Sequence, residues 1–170
     1  MATRRITNGN LYLEGTSFLG SVEEINVPEV KFKKTEHKAA GMFGSYEFSS
    51  GVDKLEGSIK WNQVDPEAMK LIADPTKVYN IMARCSQEVY DSQGLQDEEP
   101  VVYYMAVQFS NVPGANIKQH DNVELSSTFS CTYIKLEVAG VELYEYDALA
   151  NIYKVAGVDK LEKYRANLGI

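Results

Sequence analysis

The chain has 170 residues, 44% of them apolar and 24% charged, with a formal net charge of −7. That is enough apolar material for one domain with its own core, and the acidic balance works against tight binding to a phosphate backbone. No apolar run approaches the roughly 20 residues of a membrane-spanning helix. The polar start, Met1-Ala2-Thr3-Arg4-Arg5-Ile6, lacks the apolar segment of an export signal, so synthesis in a cytoplasm without export is expected.

In chain order, the signal is mostly of period two. Leu11 and Leu13, then Glu14-Gly15, then Ser17 and Phe18 predict a short hairpin. Residues 21–36 carry Val22, Ile25, Val27, Val30 and Phe32, and the phase shifts at Pro28, which predicts a bulge or a sheet edge. Lys31, Lys33, Lys34 and Lys38 form a local basic patch, read as a solvated strand end whose charge could also meet an acidic surface on another copy. The stretch KTEHKAAGMFGSYEF, residues 34–48, is too rich in glycine for a helix and does not alternate. It reads as a long loop, and loops run over the surface. Met42 and Phe43 at its tip, between Gly41 and Gly44, are therefore out of place in an isolated subunit.

Leu55, Gly57, Ile59 and Trp61 then alternate with Glu56, Ser58, Lys60 and Asn62, predicting a half-buried strand. Residues 66–73 read as a helix capped by Asp65, with Pro66 in its first turn, an apolar stripe of Met69, Ile72 and Ala73, and Pro75 as its stop. A strand follows with Tyr79, Ile81, Ala83 and Cys85 on one face, and residues 90–100 read as a polar loop. Two long strands come next. Residues 100–110 place Val101, Tyr103, Met105, Val107 and Phe109 together; residues 122–138 direct Val123, Leu125, Ser127, Phe129, Cys131 and Tyr133 inward. The opposite face of the second strand, Asn122, Glu124, Ser126, Thr128, Ser130 and Thr132, is polar, hydroxyl-rich and free of positive charge, and suits a wall facing water. Ala139-Gly140 turns the chain back, and a short terminal helix is predicted with a stripe of Val158, Leu161 and Leu168, Asp159 and Glu162 at capping-box spacing, and Gly169 as its end. Residues 1–170 thus form one domain, mainly antiparallel β with two small helices. Strands this long exceed the usual five to six or so residues, and a small domain cannot cover their edges by itself.

Chemistry-bearing patterns are absent from this reading. His37 and His120 stand alone as surface-loop residues, and no spacing of His, Cys, Asp or Glu suits a metal. Asp97-Glu98-Glu99 reads as solvated, and Cys85 and Cys131 as buried free thiols. GTSFLG, residues 15–20, has the wrong spacing for a nucleophile elbow. Tyr144, Tyr146, Tyr153 and Tyr164 could form a carbohydrate-binding face, or pack and make subunit contacts. No enzyme activity and no cofactor are expected.

Residues 131–170 resemble the ending of the major tail tube proteins of contractile-tailed phages and of R-type tailocins. That ending appears here as Tyr133, Gly140, Glu142-Leu143, Glu145, Asp147, Gly157-Val158-Asp159, Leu161, Arg165 and Leu168-Gly169-Ile170. Ala156 replaces the family's usual Asn. Asn10-Leu11-Tyr12, Val27-Pro28, Val30, Glu36 and Gly41-Met42 match the family's start, and residues 62–122 are not diagnostic.

The resemblance implies an antiparallel β-sandwich or partial barrel with two long hairpins and two small helices, closing into a shared β-barrel in a hexameric ring. Rings would stack into the inner tube of a contractile tail or tailocin, a channel for DNA or ions into the target cell. Its partners would be other copies of itself, the sheath, the baseplate hub or tube initiator and the tail terminator. Tape measure protein or DNA would occupy the lumen without tight binding. The subunit would be made in the host cytoplasm and end in the virion tail. Glu36, Ala39, Ala40, Gly41, Met42, Phe43 and Gly44 would form an inter-subunit loop, the other reading of that loop being a local flap over its own subunit's core, and Glu124, Ser126, Thr128 and Ser130 would face the lumen. A type VI-like tube subunit and a β-barrel carbohydrate-binding module are the alternatives.

Overall fold

A computed structural model describes residues 1–170, in which short turns connect long antiparallel strands. The strands are β1 (Thr3–Leu13), β2 (Thr16–Ser17), β3 (Val22–Asn26), β4 (Phe32–His37), β5 (Tyr46–Val52), β6 (Leu55–Trp61), β7 (Tyr79–Asp91), β8 (Gly94–Phe109), β9 (Leu125–Val138), β10 (Val141–Asp147), β11 (Ile152–Val155) and β12 (Val158–Asp159). Two helices of seven residues each, α1 (Pro66–Ile72) and α2 (Glu162–Leu168), complete the chain. The main sheet runs β12-β11-β10-β9-β8-β7-β1-β2.

The sheet forks at β9. Along residues 125–131 its outer neighbour is β6, which in turn pairs with β3; along 133–138 the neighbour is β10. A bulge at Thr132, where Ala106 faces Tyr133 but Val107 faces Cys131, marks the division. The bulge bends the strand and reverses its alternation. Ile134 therefore takes the core position, completely buried, and the predicted inward side chain Tyr133 turns to the other face.

The core gathers side chains of β1, β6, β7, β8 and β9 against Ala68 and Ile72 of α1. Trp61 is its centre: fully buried, edge-on to Phe18, with Nε1 donating to Ser127 Oγ at 2.9 Å. Ser127 is the polar residue of an otherwise apolar stripe because the indole N–H needs an acceptor away from water. Opposite Phe129, β6 carries Gly57. A Cβ there would sit 2.6 Å from both the Asn26 carbonyl oxygen and Phe129 Cζ, so only glycine lets the ring lie across the strand.

Several predicted elements hold. Tyr12 pairs with Ser17 around the Glu14-Gly15 turn, and Ala139-Gly140 turns β9 into β10, with positive φ at all four turn positions. Asp65 Oδ1 accepts from the Glu67 and Ala68 backbone N–H groups to start α1. Others are corrected. In α1 the fully buried side chains are Ala68 and Ile72, with Met69 partly buried and Ala73 exposed. Residues 90–100 are no loop but the end of a β7–β8 hairpin that turns at Ser92-Gln93. The terminal stripe is not buried: Val158 and Leu168 are more than half exposed, and Asp159 is held by Arg165 and the Leu161 N–H instead of capping a packed helix. Cys131 is buried but Cys85 is only half-buried; both are free.

Candidate assembly surfaces

The stretch 34–48 is largely a ribbon. β4 and β5 pair with each other and with no other strand, and residues 31–51 are exposed throughout. Only residues 38–45 form the loop at its tip. The alternation was hidden because a two-stranded arm has water on both faces and needs no apolar side. Aromatic rings pack along it: His37 of β4 meets Phe48 of β5 across the strands at 5.7 Å between ring centroids, and Tyr46 meets Phe48 along β5 at 4.8 Å. Glu36 lies directly opposite Glu47, and the like charges are drawn apart by Lys38 (3.3 Å) and Lys34 (3.5 Å). Lys31 and Lys33 likewise sit beside Glu29 and Asp53. The basic patch is thus neutralised by exposed ion pairs, which add little stability.

At the tip the Met42 N–H donates to the Ala39 carbonyl, and Gly41 takes a φ of 89° that a side chain would oppose. Ala39, Ala40 and Gly44 are exposed beside it. Phe43 is completely exposed and Met42 about half so. Of the predicted loop residues, 39–44 lie together at the tip and Glu36 lies in the paired strand β4, so they belong to the end of a projecting arm rather than to a flap on the body.

Below the arm is a cavity of about 500 Å³. Phe32 and residues 49–52 from the arm's base form one side; Tyr146, Asp147, Tyr153, Leu161 and Tyr164 form the other. Phe32 meets Tyr153 edge-on at 5.7 Å, and Tyr146 meets Tyr153 at 6.3 Å. Three of the four tyrosines singled out in the sequence thus converge, and Tyr144 packs against the core instead, its phenol pushed up to about 12 by burial. Arg165 holds the far wall by reaching the Asn151 carbonyl and the Asp159 carboxylate. That hydrogen bond, first, and the Leu161 N–H, second, keep Asp159 below the usual carboxylate range.

The polar stripe lies on the opposite face of the main sheet from the core. Glu124, Ser126 and Thr128 are exposed and Ser130 is half-buried. Asn111 fixes this end of β9: its Oδ1 accepts from the Thr128 N–H and hydroxyl, and its Nδ2 donates to the Ser126 carbonyl. The stripe is not free of positive charge in space, because Lys60 of β6 pairs with Ser126. Beyond the Thr132 bulge the same face continues through Tyr133, Lys135 and Glu137. Lys135 binds Glu137 at 3.0 Å and sits 4.5 Å over the Tyr104 ring. Tyr133 donates to Glu145, and burial together with that bond raises its phenol well above the ordinary range. Glu145 feels burial pushing it up, but Tyr133 and Lys154 outweigh that and hold it low.

A further surface was not legible from the periodicity. The first part of β1, the second part of β7 and the first part of β8 form a three-stranded tongue in which Thr3 through Gly9 are exposed. Both its edges are open: β1 has no outer partner before Tyr12, and β8 none before Val101. One edge carries Arg4 and Arg5, the other Asp97, Glu98 and Glu99. Strand alternation puts Asp97 and Glu99 on one face and Glu98 on the other, which separates the acidic run.

The sequence model of the family described as Phage tail tube protein FII matches residues 3–169. The chain is 29% identical over 170 residues to the tail tube protein of Escherichia phage P2, covering 98% of each chain. It is 27% identical over 151 residues to the major tail tube protein of Serratia phage KSP20, covering 86% of this chain and 84% of that one. Among solved structures it is similar to the PVC sheath/tube terminator of an extracellular contractile injection system in the extended state (TM-score 0.57, 6% identity, 76% of this chain and 92% of that chain). The PVC sheath–tube complex is also similar (TM-score 0.55, 7% identity, 76% and 87%). At such identities these two likenesses concern the fold.

Proposed function

From the premise that the chain belongs to the phage tail tube protein FII family, and is a structural subunit of a contractile tail or tailocin tube, we propose how its surfaces build that tube. The subunit forms hexameric rings in which the open tongue edges of neighbouring copies complete a shared barrel. The observation that carries this is the tongue itself: three hydrogen-bonded strands with two bare edges, Thr3 through Gly9 exposed along one of them. Bare edges recruit other strands, and closure into a ring removes them. Arg4 already holds Glu99 within the subunit at 3.3 Å, so Arg5 on one edge and Asp97 and Glu98 on the other are the charges that favour head-to-tail pairing over like edges meeting.

The face bearing Glu124, Ser126, Thr128 and Ser130 lines the channel, and the arm clasps a neighbour through its tip, residues 39–44, with Glu36 on the strand that leads to it. Mixed charge of small net sign on the lining suits a cargo that must slide and not bind. Stacked rings sit inside the sheath and end at the baseplate and terminator, with tape measure protein or DNA in the lumen. The subunit is made in the bacterial cytoplasm and placed in the tail.

Sedimentation over a wide concentration range, with negative-stain microscopy of the same samples, tests this reading. Rings or tubes that grow with concentration are expected. A strict monomer at high concentration, even with sheath and baseplate components added, would overturn it.

A further inference from the structure

We propose that the cavity at the arm's base is the socket for the Met42–Phe43 tip of another copy's arm, so that each subunit donates one arm and receives one. This rests on the tube reading and names the receptor that reading lacks.

The chemistry of the two surfaces matches. The tip offers a fully exposed Phe43 and a half-exposed Met42, and the cavity offers walls of Phe32, Tyr146, Tyr153, Leu161 and Tyr164 around about 500 Å³. Aromatic walls suit a thioether and a phenyl ring. Residues 38–45 contain one charged side chain, Lys38; the cavity lining contains one, Asp147, of opposite sign. Lys38 is held only by the exposed Glu36, a bond that exchanges at little cost. Asp147 uses Oδ1 to accept from the Leu149 and Ala150 N–H groups, leaving Oδ2 to receive a cation.

The tip cannot fill the socket of its own subunit. Phe32 and residues 49–52 are the arm's base and form one wall of the cavity. The paired strands between base and tip hold the tip roughly 15–20 Å away, at about 3.4 Å per residue. Small residues at Ala39, Ala40 and Gly41 allow the tip to enter a confined space. Because knob and socket are different patches of one chain, the contact is heterologous, and such contacts propagate as rings or helical stacks. That is the geometry a tube requires.

Cysteine cross-linking tests the contact. Phe43→Cys and Tyr164→Cys are combined in one chain carrying Cys85→Ala; Cys131 stays silent, being buried with its thiol pushed up to about 11. Mild oxidation of assembled tubes should give a ladder of covalent oligomers on a non-reducing gel, absent from either single variant. If loss of the two aromatic rings prevents assembly, Phe43→Cys is paired with Ala148→Cys, an exposed position of the same cavity, and must give the ladder in mixed tubes with unmodified subunits. Tubes without a ladder overturn the socket while leaving the tube reading intact, as does a cross-linked monomer or a dimer from Phe43→Cys alone. A melting shift with oligosaccharides that ladder-free tubes retain would give the tyrosines to a sugar and also overturn it. Failure of the unmodified chain to form rings or tubes defeats the tube reading, and the socket with it.

Discussion

Val101–Phe109 and Gly94–Pro100 belong to one continuous strand, yet they live in different surroundings. The first part places Val101, Met105, Val107 and Phe109 in the core, almost without exposure. The second is also hydrogen-bonded to β7, with one bulge at Gln96, but carries Leu95, Gln96, Asp97 and Glu98 into solvent. Strand pairing, with surface contacts such as Arg4 to Glu99 and little burial beyond Val89, therefore holds the tongue in the isolated subunit, while side-chain burial holds the body. A two- or three-stranded piece with no apolar cover is marginal in water, so the tongue and the β4–β5 arm depend on neighbours that the body does not need. Damage to the body should destroy folding, and damage to the projections should spare folding and destroy assembly.

The largest effect is expected in the body. Trp61→Ala should cost about 3–5 kcal/mol, since it empties the centre of the core and leaves the Ser127 hydroxyl without its donor. Denaturant unfolding monitored by circular dichroism checks this; a loss below ~1 kcal/mol would mean the core is not centred on Trp61. The counterpart in the arm is Phe43→Asp. With Phe43 wholly exposed, the unfolding free energy should stay within about 0.5 kcal/mol of the parent. Tubes should nevertheless vanish from micrographs, because a carboxylate would have to be desolvated at every repeated contact. A lost cooperative melt would place the tip in the subunit's own core, and intact tubes would make it a bystander.

A smaller effect concerns the wall of the cavity. Asp159 is held low by Arg165, so its contribution is present above the ordinary Asp range and fades as pH falls through the lowered value. Residues 159–169 should therefore loosen below about pH 4, visible as shifting amide resonances confined to that segment. Arg165→Gln should produce the same shifts at neutral pH. Unchanged spectra in both cases would mean that α2 is held by other contacts.

What was legible in the sequence follows the same division. Leu55, Ile59 and Trp61, or Ile81 and Ala83, announce their strands because one face is dry and the other wet. The arm is wet on both faces and the tongue nearly so, Val89 apart, so Thr3–Gly9, residues 94–100 and 34–37 show no alternation to read. The Thr132 bulge is equally silent, since Thr fits either face, and it carries Tyr133 to the side opposite the one predicted. The terminal stripe failed for another reason: Val158 and Leu168 are apolar as a buried stripe should be, yet nothing in the isolated subunit covers them. For the assembly surfaces, Met42 and Phe43 were conspicuous as a pair, but the cavity joins Phe32 to residues 146–164, a proximity that local pattern cannot express.

The smallest effect is expected on the polar face. Glu124 precedes β9, exposed, with Asn116 opposite it in an isolated bridge and Lys60 close enough to feel its charge. Glu124→Lys exchanges one solvated charge for another and places it near Lys60, a repulsion that water and salt weaken within about 10 Å. Stability should move by no more than about 0.5 kcal/mol, and tubes should still form. What changes is the sign of the field on the channel wall, multiplied by every copy in every ring. If that face lines the channel, short single-stranded oligonucleotides should elute later from a column of immobilised variant tubes than from parent tubes, and the delay should disappear at high salt. Tubes that fail to form would place Glu124 in a dry subunit contact, and tubes that form with no added retention would put the polar face away from the lumen.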